Sequence, residues 1–140
     1  MEDELYKKKV YTVKLQSVSD KRGNLVIGEF PKGLPFEVKR FFYMYSVDSD
    51  AVRGEHANRR SKMFFVAISG SCKVRIAYRS CSKEFSLTTR CEGLFADAMT
   101  WKEMYDFSDD CVLMVLSDSV YDSSEYIRDF AEYLKEVDIR

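Results

Sequence analysis

Histidine is almost missing from this chain: His56 is the single copy in 140 residues. The usual iron, manganese and zinc centres draw on two or more imidazoles, so no standard histidine-built metal site can be assembled. The four cysteines, Cys72, Cys81, Cys91 and Cys111, include no C-x-x-C pair, and one histidine is too few to complete a zinc set with them. They read as small thiols in a reducing compartment, with Cys72 and Cys111 in apolar, core-forming stretches. An excess of charge is missing too. Lysine and arginine number 22 against 23 acids, a net charge of -1. That excludes a general nucleic-acid or membrane-surface binder while leaving room for a local basic pocket. No apolar run reaches the roughly 18 residues of a membrane helix. The opening MEDELYKKK is charged, with no apolar segment behind it. The expected location is the cytoplasm.

What is present is a sheet-forming chain. Apolar residues make up 46% and aromatics 14%. The length suits a single domain spanning residues 1–140. Val10–Gln16 and Asn24–Phe30 alternate as strands around the turn Ser19–Gly23. Pro31 and Pro35 bracket a short loop. Glu37–Val47 is apolar and aromatic on both faces, as expected inside a barrel or sandwich wall. Ser69-Gly70-Ser71 turns between FFVAI and CKVRIAY, KEFSLTT follows, and Gly93–Trp101 and Cys111–Leu116 add two more. About nine short strands at this spacing predict an all-β sandwich or barrel. Asp122-Ser123-Ser124 then reads as a helix cap with Glu125 in the first turn. Tyr126, Ile127, Phe130, Ala131, Tyr133, Leu134 and Val137 recur at helical spacing, predicting a C-terminal amphipathic helix over the barrel.

The segment Arg53–Gly70, RGEHANRRSKMFFVAISG, carries the spacing of a cupin metal motif: H-x-H, four residues, an acidic or amide residue, six residues, glycine. Here the four positions hold His56, Asn58, Met63 and Gly70. Residues two apart on a strand share a face, so His56 and Asn58 point together. Asn58 is a poor ligand and the Met63 thioether is soft, so the frame survives without its metal chemistry. For His56 two roles stand: a hydrogen-bonded histidine in a barrel wall, or a metal-free general base. Neutral imidazole can take and return a proton near neutral pH, which suffices when a ketone has acidified the substrate carbon.

Basic residues crowd the same region. Of Arg40, Arg53, Arg59, Arg60 and Lys62, Arg59 and Arg60 suit a solvated hairpin edge. Arg40 and Arg53 lie in or beside apolar strands and need an anionic partner. That partner is either an internal carboxylate such as Glu37 or Asp48, or the phosphate of a ligand.

Six segments, in order and spanning nearly the whole chain, resemble the dTDP-4-keto-6-deoxyhexose 3,4-ketoisomerases, small sugar-nucleotide cupins (WxcM-like). They are D-x-R-G-N-L (Asp20–Leu25), LPFEVKRFFYMYSV (Leu34–Val47), RGEHAN (Arg53–Asn58), SGSCKV (Ser69–Val74), the run from Phe107 to Asp122, and EYIRDFAEYL (Glu125–Leu134). The resemblance implies a cupin jelly-roll β-barrel with a C-terminal helix. It implies a metal-independent intramolecular oxidoreductase, or isomerase, that needs no cofactor. It also implies a homodimer exchanging an N-terminal strand. The substrate would be a dTDP-linked 4-keto-6-deoxy sugar. Its carbonyl would move from C4 to C3 through an enediol, in deoxysugar biosynthesis for lipopolysaccharide or O-antigen glycans. On this basis His56 is the catalytic base, Asn58 positions the substrate, Arg40 and Arg53 hold the diphosphate, and Arg22 and Lys102 shape the sugar pocket.

The chain departs from the family pattern at three places. Asn58 replaces the second histidine of H-A-H, Met63 stands where many members have Gln, and Phe42 where relatives carry Tyr. Arg22 resembles members with a galacto product, whereas Lys102 fits neither stereochemical type. Trp101 is either a stacking platform or a core residue. Two rival functions stand: a non-catalytic nucleotide-sugar-binding cupin, supported by the Asn58 and Met63 departures, and a related epimerase with Tyr43 or Tyr45 as its second acid or base.

Overall fold

The structure, a computed structural model, describes residues 2–139. A short helix α1 (Glu2–Lys9) leads into β1 (Val10–Lys14), followed by a ribbon of β2 (Gln16–Asp20) and β3 (Gly23–Ile27). Then come β4 (Arg40–Tyr45), β5 (Arg53–Asn58), β6 (Met63–Ser69), β7 (Cys72–Tyr78), β8 (Cys81–Leu87), β9 (Glu92–Ala96), β10 (Trp101–Tyr105) and β11 (Val112–Ser117). A single 3-10 turn at Ser123–Glu125, β12 (Tyr126–Ile127) and α2 (Phe130–Ile139) finish the chain. One sheet runs β1-β9-β6-β11-β4 and the other β12-β5-β10-β7-β8. The pairs within them are antiparallel.

The two sheets share one apolar interior. Met44, Met63, Phe65, Leu113 and Val115 from the first meet Val74, Ile76 and Met104 from the second. This is the all-β cupin arrangement expected from the strand spacing and the family resemblance. Period-two alternation sends the intervening side chains outward. On the first sheet the outward residues Phe64, Val66 and Phe95 form a second cluster with Leu34 and Phe36 of the loop after β3. Cys72 and Cys111 are buried free thiols, as expected. Burial keeps the Cys72 thiol protonated by pushing its pKa upward.

Three expectations about the elements change, and the N-terminus adds a helix. Glu37–Val47 is no interior wall strand. β4 is the edge of its sheet, and Phe41, Tyr43 and Tyr45 stand 60%, 55% and 66% exposed while Met44 points inward. The stretch Gly93–Trp101 breaks in two, because Asp97 accepts from the Ala98 amide and from the Thr100 hydroxyl, forming a turn between β9 and β10. The charged N-terminus folds into α1, held by Tyr6, whose buried hydroxyl donates to the Ile76 carbonyl at 2.7 Å. Finally, Asp122 caps only the 3-10 turn, since Glu125 is drawn inward and Ile127 pairs with Ala57 as β12. The helix proper starts at Phe130 and is capped by Asp129, whose carboxylate accepts from the Glu132 amide. Tyr133 and Val137 are its buried face, and Tyr133 makes hydrogen bonds to the outside of the second sheet at Met99 and Arg79.

Candidate active site around His56

β5 carries a bulge where it meets β10. Lys102 lies opposite His56 and Glu103 opposite Gly54, so Glu55 is the extra residue. Gly54 and Glu55 both take positive φ, 87° and 55°. A Cβ at Gly54 would sit 2.6 Å from Met104 Cε and 2.9 Å from the Lys102 carbonyl oxygen, so only glycine lets β5 approach β10 this closely. The turned backbone also aims the Gly54 carbonyl at His56, whose Nδ1 lies 3.0 Å away. A carbonyl only accepts, so Nδ1 carries the hydrogen and Nε2 keeps its lone pair. Burial and then the charge of Lys102 lower the His56 pKa to about 4. The ring is therefore neutral near pH 7, with its basic nitrogen unprotonated.

His56 opens onto a cavity of about 90 Å³ between the sheets, lined by Phe42, Met44, Arg53, Met63, Lys102 and Met104 among others. The lining is apolar apart from the imidazole and two cations. Among the described residues no carboxylate lines it. Lys102 is 1% exposed, and its Nζ donates to the Thr100 carbonyl at 2.8 Å. Burial lowers its pKa to about 7, against the opposing charges of Glu125 and Asp97. Arg53 is exposed at the cavity wall and makes no ion pair among the described residues. Arg40 does not pair with Glu37 or Asp48. Its guanidinium lies over the rings of Phe42 and Tyr121 at 5.1 and 5.3 Å, and its buried Nε has no partner. Of the two partners open to these arginines in the sequence, the internal carboxylate is thus not found among the described residues.

Asn58, expected to position the substrate, is held in the protein interior. It is fully buried and does not line the cavity. Its Nδ2 donates to Glu125 Oε1 at 3.0 Å, and its Oδ1 has no partner. Glu125 also accepts from the Ser61 hydroxyl and from the Arg60 and Ser61 amides. Burial opposes the carboxylate, but these hydrogen bonds outweigh it and hold its pKa below the ordinary glutamate value. Arg22 also lies elsewhere. It sits at the tip of the β2–β3 ribbon, tied to Asp20 at 2.7 Å, with its side chain 85% exposed. Arg59 and Arg60, expected as a solvated edge, instead clasp Glu136 and Asp122 of the C-terminal segment. Trp101 is core, edge-on to Phe130 at 5.2 Å. Tyr43 and Tyr45, the candidate epimerase acids, stand on the outer face of β4, and its inward neighbours Phe42 and Met44 line the cavity.

Two residues near His56 were hidden in the sequence within the C-terminal stripe. The Tyr126 ring lies 4.7 Å from the imidazole, and Arg128 sits over that ring at 4.9 Å. Y-I-R-D carries no period-two alternation, so nothing local separates this two-residue strand from the helical stripe around it. Among the described residues no group of three or more His, Cys, Asp or Glu converges in a way that could hold a metal ion.

Residues 8–138 match the protein family described as FdtA: WxcM-like, C-terminal. The chain belongs to this WxcM-like family. Among similar proteins, the TDP-4-oxo-6-deoxy-alpha-D-glucose-3,4-oxoisomerase of Aneurinibacillus thermoaerophilus is 35% identical over 123 residues, 88% of each chain. The TDP-fucose-3,4-ketoisomerase WlaRA of Campylobacter jejuni is 36% identical with a TM-score of 0.87, over 91% of this chain and 94% of the other. A histidine-to-asparagine variant of the 3,4-ketoisomerase QdtA of Thermoanaerobacterium thermosaccharolyticum, in complex with TDP-4-keto-6-deoxyglucose, gives a TM-score of 0.90 at 32% identity, over 94% and 96%. These WxcM-like relatives are 3,4-keto- or oxoisomerases of TDP-linked sugars. The family, the fold and the isomerase class expected from the sequence are borne out.

Proposed function

We propose that the chain is a 3,4-ketoisomerase of a dTDP-linked 4-keto-6-deoxyhexose, with His56 as the base that takes the C3 proton and returns it to C4. The observation that carries this is the imidazole itself. It is half-buried on the wall of an apolar cavity, its tautomer is held by the Gly54 carbonyl so that Nε2 keeps the lone pair, and among the described residues that cavity is lined by cations and no carboxylate. An enediolate formed there gains a low-dielectric environment and the charge of Lys102. Arg53 and Arg40 have no internal anion, which suits them to a diphosphate, and Arg128 extends the same positive border beside Tyr126. Asn58 acts at one remove by fixing Glu125 and the β5–β6 connection.

The working unit is a single cupin domain in the cytoplasm, assembled as a homodimer that exchanges its N-terminal segment. Two features support the dimer. The aromatic outer face of β4 has no cover, and the β2–β3 ribbon leaves Val18 and Leu25 exposed. A ribbon passed to a second copy would carry Arg22 toward that copy's sugar site, where it would favour the galacto product.

The test is proton NMR of the protein with dTDP-4-keto-6-deoxyglucose in deuterated buffer. Loss of the C3 proton signal with appearance of a 3-keto sugar is expected, and the coupling constants of the product give its C4 configuration. Binding of dTDP in calorimetry without any such change would favour the non-catalytic binding protein instead. Exchange at C5 with the keto group left at C4 would favour an epimerase.

A further inference from the structure

We infer that Lys102 is a second proton-carrying catalytic residue, moving the hydroxyl proton between the C3 and C4 oxygens while His56 moves the carbon-bound one. The inference rests on the ketoisomerase reading and assigns the half of the reaction that His56 cannot perform.

The isomerisation relocates two hydrogens. One leaves C3 and arrives at C4. The other leaves the C3 hydroxyl and arrives at the C4 oxygen. One imidazole with its Nδ1 hydrogen committed to Gly54 offers one exchangeable position, Nε2. A second group must face the same substrate edge. Asn58 cannot be that group: a carboxamide carries no labile proton at neutral pH, and this one is sealed against Glu125 outside the cavity. Glu125 is saturated with donors. Tyr126 touches the imidazole but does not line the cavity. Lys102 does line it, directly across the β5–β10 ladder from His56.

The surroundings of Lys102 suit it to gain and lose a proton. Its flanking strands offer Ile76 from β7 and His56 and Arg53 from β5, and the facing sheet offers Met63, Phe65, Met44 and Val115. Its one hydrogen-bond partner among the described residues is the neutral Thr100 carbonyl. Glu125 and Asp97 act on it only at longer range, and Arg128 acts on His56. A buried ammonium so weakly compensated lies close to balance between its two forms near neutrality.

The step balances without a further reactant. The C3–H bond electrons form the C3–C4 double bond as His56 Nε2 takes the proton, the C4 carbonyl π pair moves to its oxygen, and Lys102 Nζ–H protonates that oxygen. The resulting enediol then gives its C3 hydroxyl proton to neutral Lys102. The carbonyl forms at C3, and C4 takes the proton from the imidazolium. His56 returns to neutral and Lys102 to ammonium.

The test compares Lys102→Arg and Lys102→Met with the wild type, using dTDP-4-keto-6-deoxyglucose and following turnover by NMR with dTDP affinity measured in parallel. A proton carrier predicts that both variants lose roughly 10²–10⁴ in kcat with dTDP affinity held, because arginine keeps the charge but not the proton exchange. Full kcat in Lys102→Arg would overturn the inference and leave Lys102 a charge alone. Full kcat in Lys102→Met would remove any role. If neither variant folds, the wild-type profile decides. An alkaline limb in kcat with a midpoint near pH 7 supports the assignment, and a profile flat from pH 6 to 9 overturns it. A wild type that binds dTDP but turns nothing over would overturn the ketoisomerase reading itself.

Discussion

Asn58 Nδ2 lies 3.0 Å from Glu125 Oε1, and both side chains are closed off from solvent. The residue that stands at the second histidine position of the family motif is therefore part of the scaffold. It locks the end of β5 to the segment that delivers Tyr126 and Arg128 to the site.

Replacing Asn58 with leucine removes one donor from a buried carboxylate. The expected cost is about 1–3 kcal/mol in denaturant unfolding, with kcat/KM falling only a few-fold. A thousand-fold loss of kcat at unchanged stability would place Asn58 on the substrate after all.

Gly54→Ala puts a methyl group against Met104 and the Lys102 carbonyl at a positive φ. Strain and overpacking together are expected to destabilise the chain by about 2–4 kcal/mol. The loss of tautomer control should lower kcat more than it raises KM. Urea unfolding and steady-state kinetics check the two parts separately.

His56 is the only histidine, so its ring gives one resolvable titration in NMR. The expected midpoint is about 4, below the unfolded value near 6.5. A depressed folded-state pKa means that the unfolded chain binds the proton first as pH falls. Stability from this group is thus full above pH 6.5 and is lost on the way to pH 4, by about 2–3 kcal/mol. Thermal unfolding of His56→Gln should lose less than the wild type over that window. kcat/KM should stay level down to about pH 5.

Lys102→Met replaces a buried ammonium that has no carboxylate partner by an apolar chain of similar length. The melting temperature is expected to rise by a few degrees, as happens where a site is held at a cost to stability. A fall would indicate that the Thr100 contact matters more to the fold than the buried charge does.

Strand exchange predicts complementation. His56→Asn and Arg22→Ala chains, unfolded and refolded together, should make the galacto product at about a quarter of the wild-type sites, because half of random dimers are mixed and each of those keeps one site with both residues. Without exchange, no site in the mixture gains Arg22 from a partner, and the product keeps the configuration that Arg22→Ala gives alone.

Much of this was legible in the sequence because it depends on local chemistry. The apolar strands FFVAI and CKVRIAY, the H-x-N frame and the Gly70 turn between the strands are written in neighbouring residues. Gly70 shows why such a signal is dependable: a Cβ there would meet Ser108 and Cys111, so no other residue fits. What stayed hidden depends on distant partners. Tyr126 and Ile127 carry helical spacing, yet pairing with Asn58 and Ala57 overrides it. Phe41, Tyr43 and Tyr45 look like wall residues because composition cannot reveal that β4 ends its sheet. The sharing of one cavity by His56 and Lys102, 46 positions apart in the chain, is a matter of register and bulge rather than of any motif.

β4 pairs only with β11 among the described residues, so one flank of its backbone stays open beneath three exposed aromatic rings. An open edge of this kind accepts any extended chain and has no built-in limit on how many follow. Whatever docks there does more than complete an oligomer: it stands between the folded protein and aggregation, and substitutions far from His56 along this rim would surface first as poor recovery of material rather than as slow catalysis.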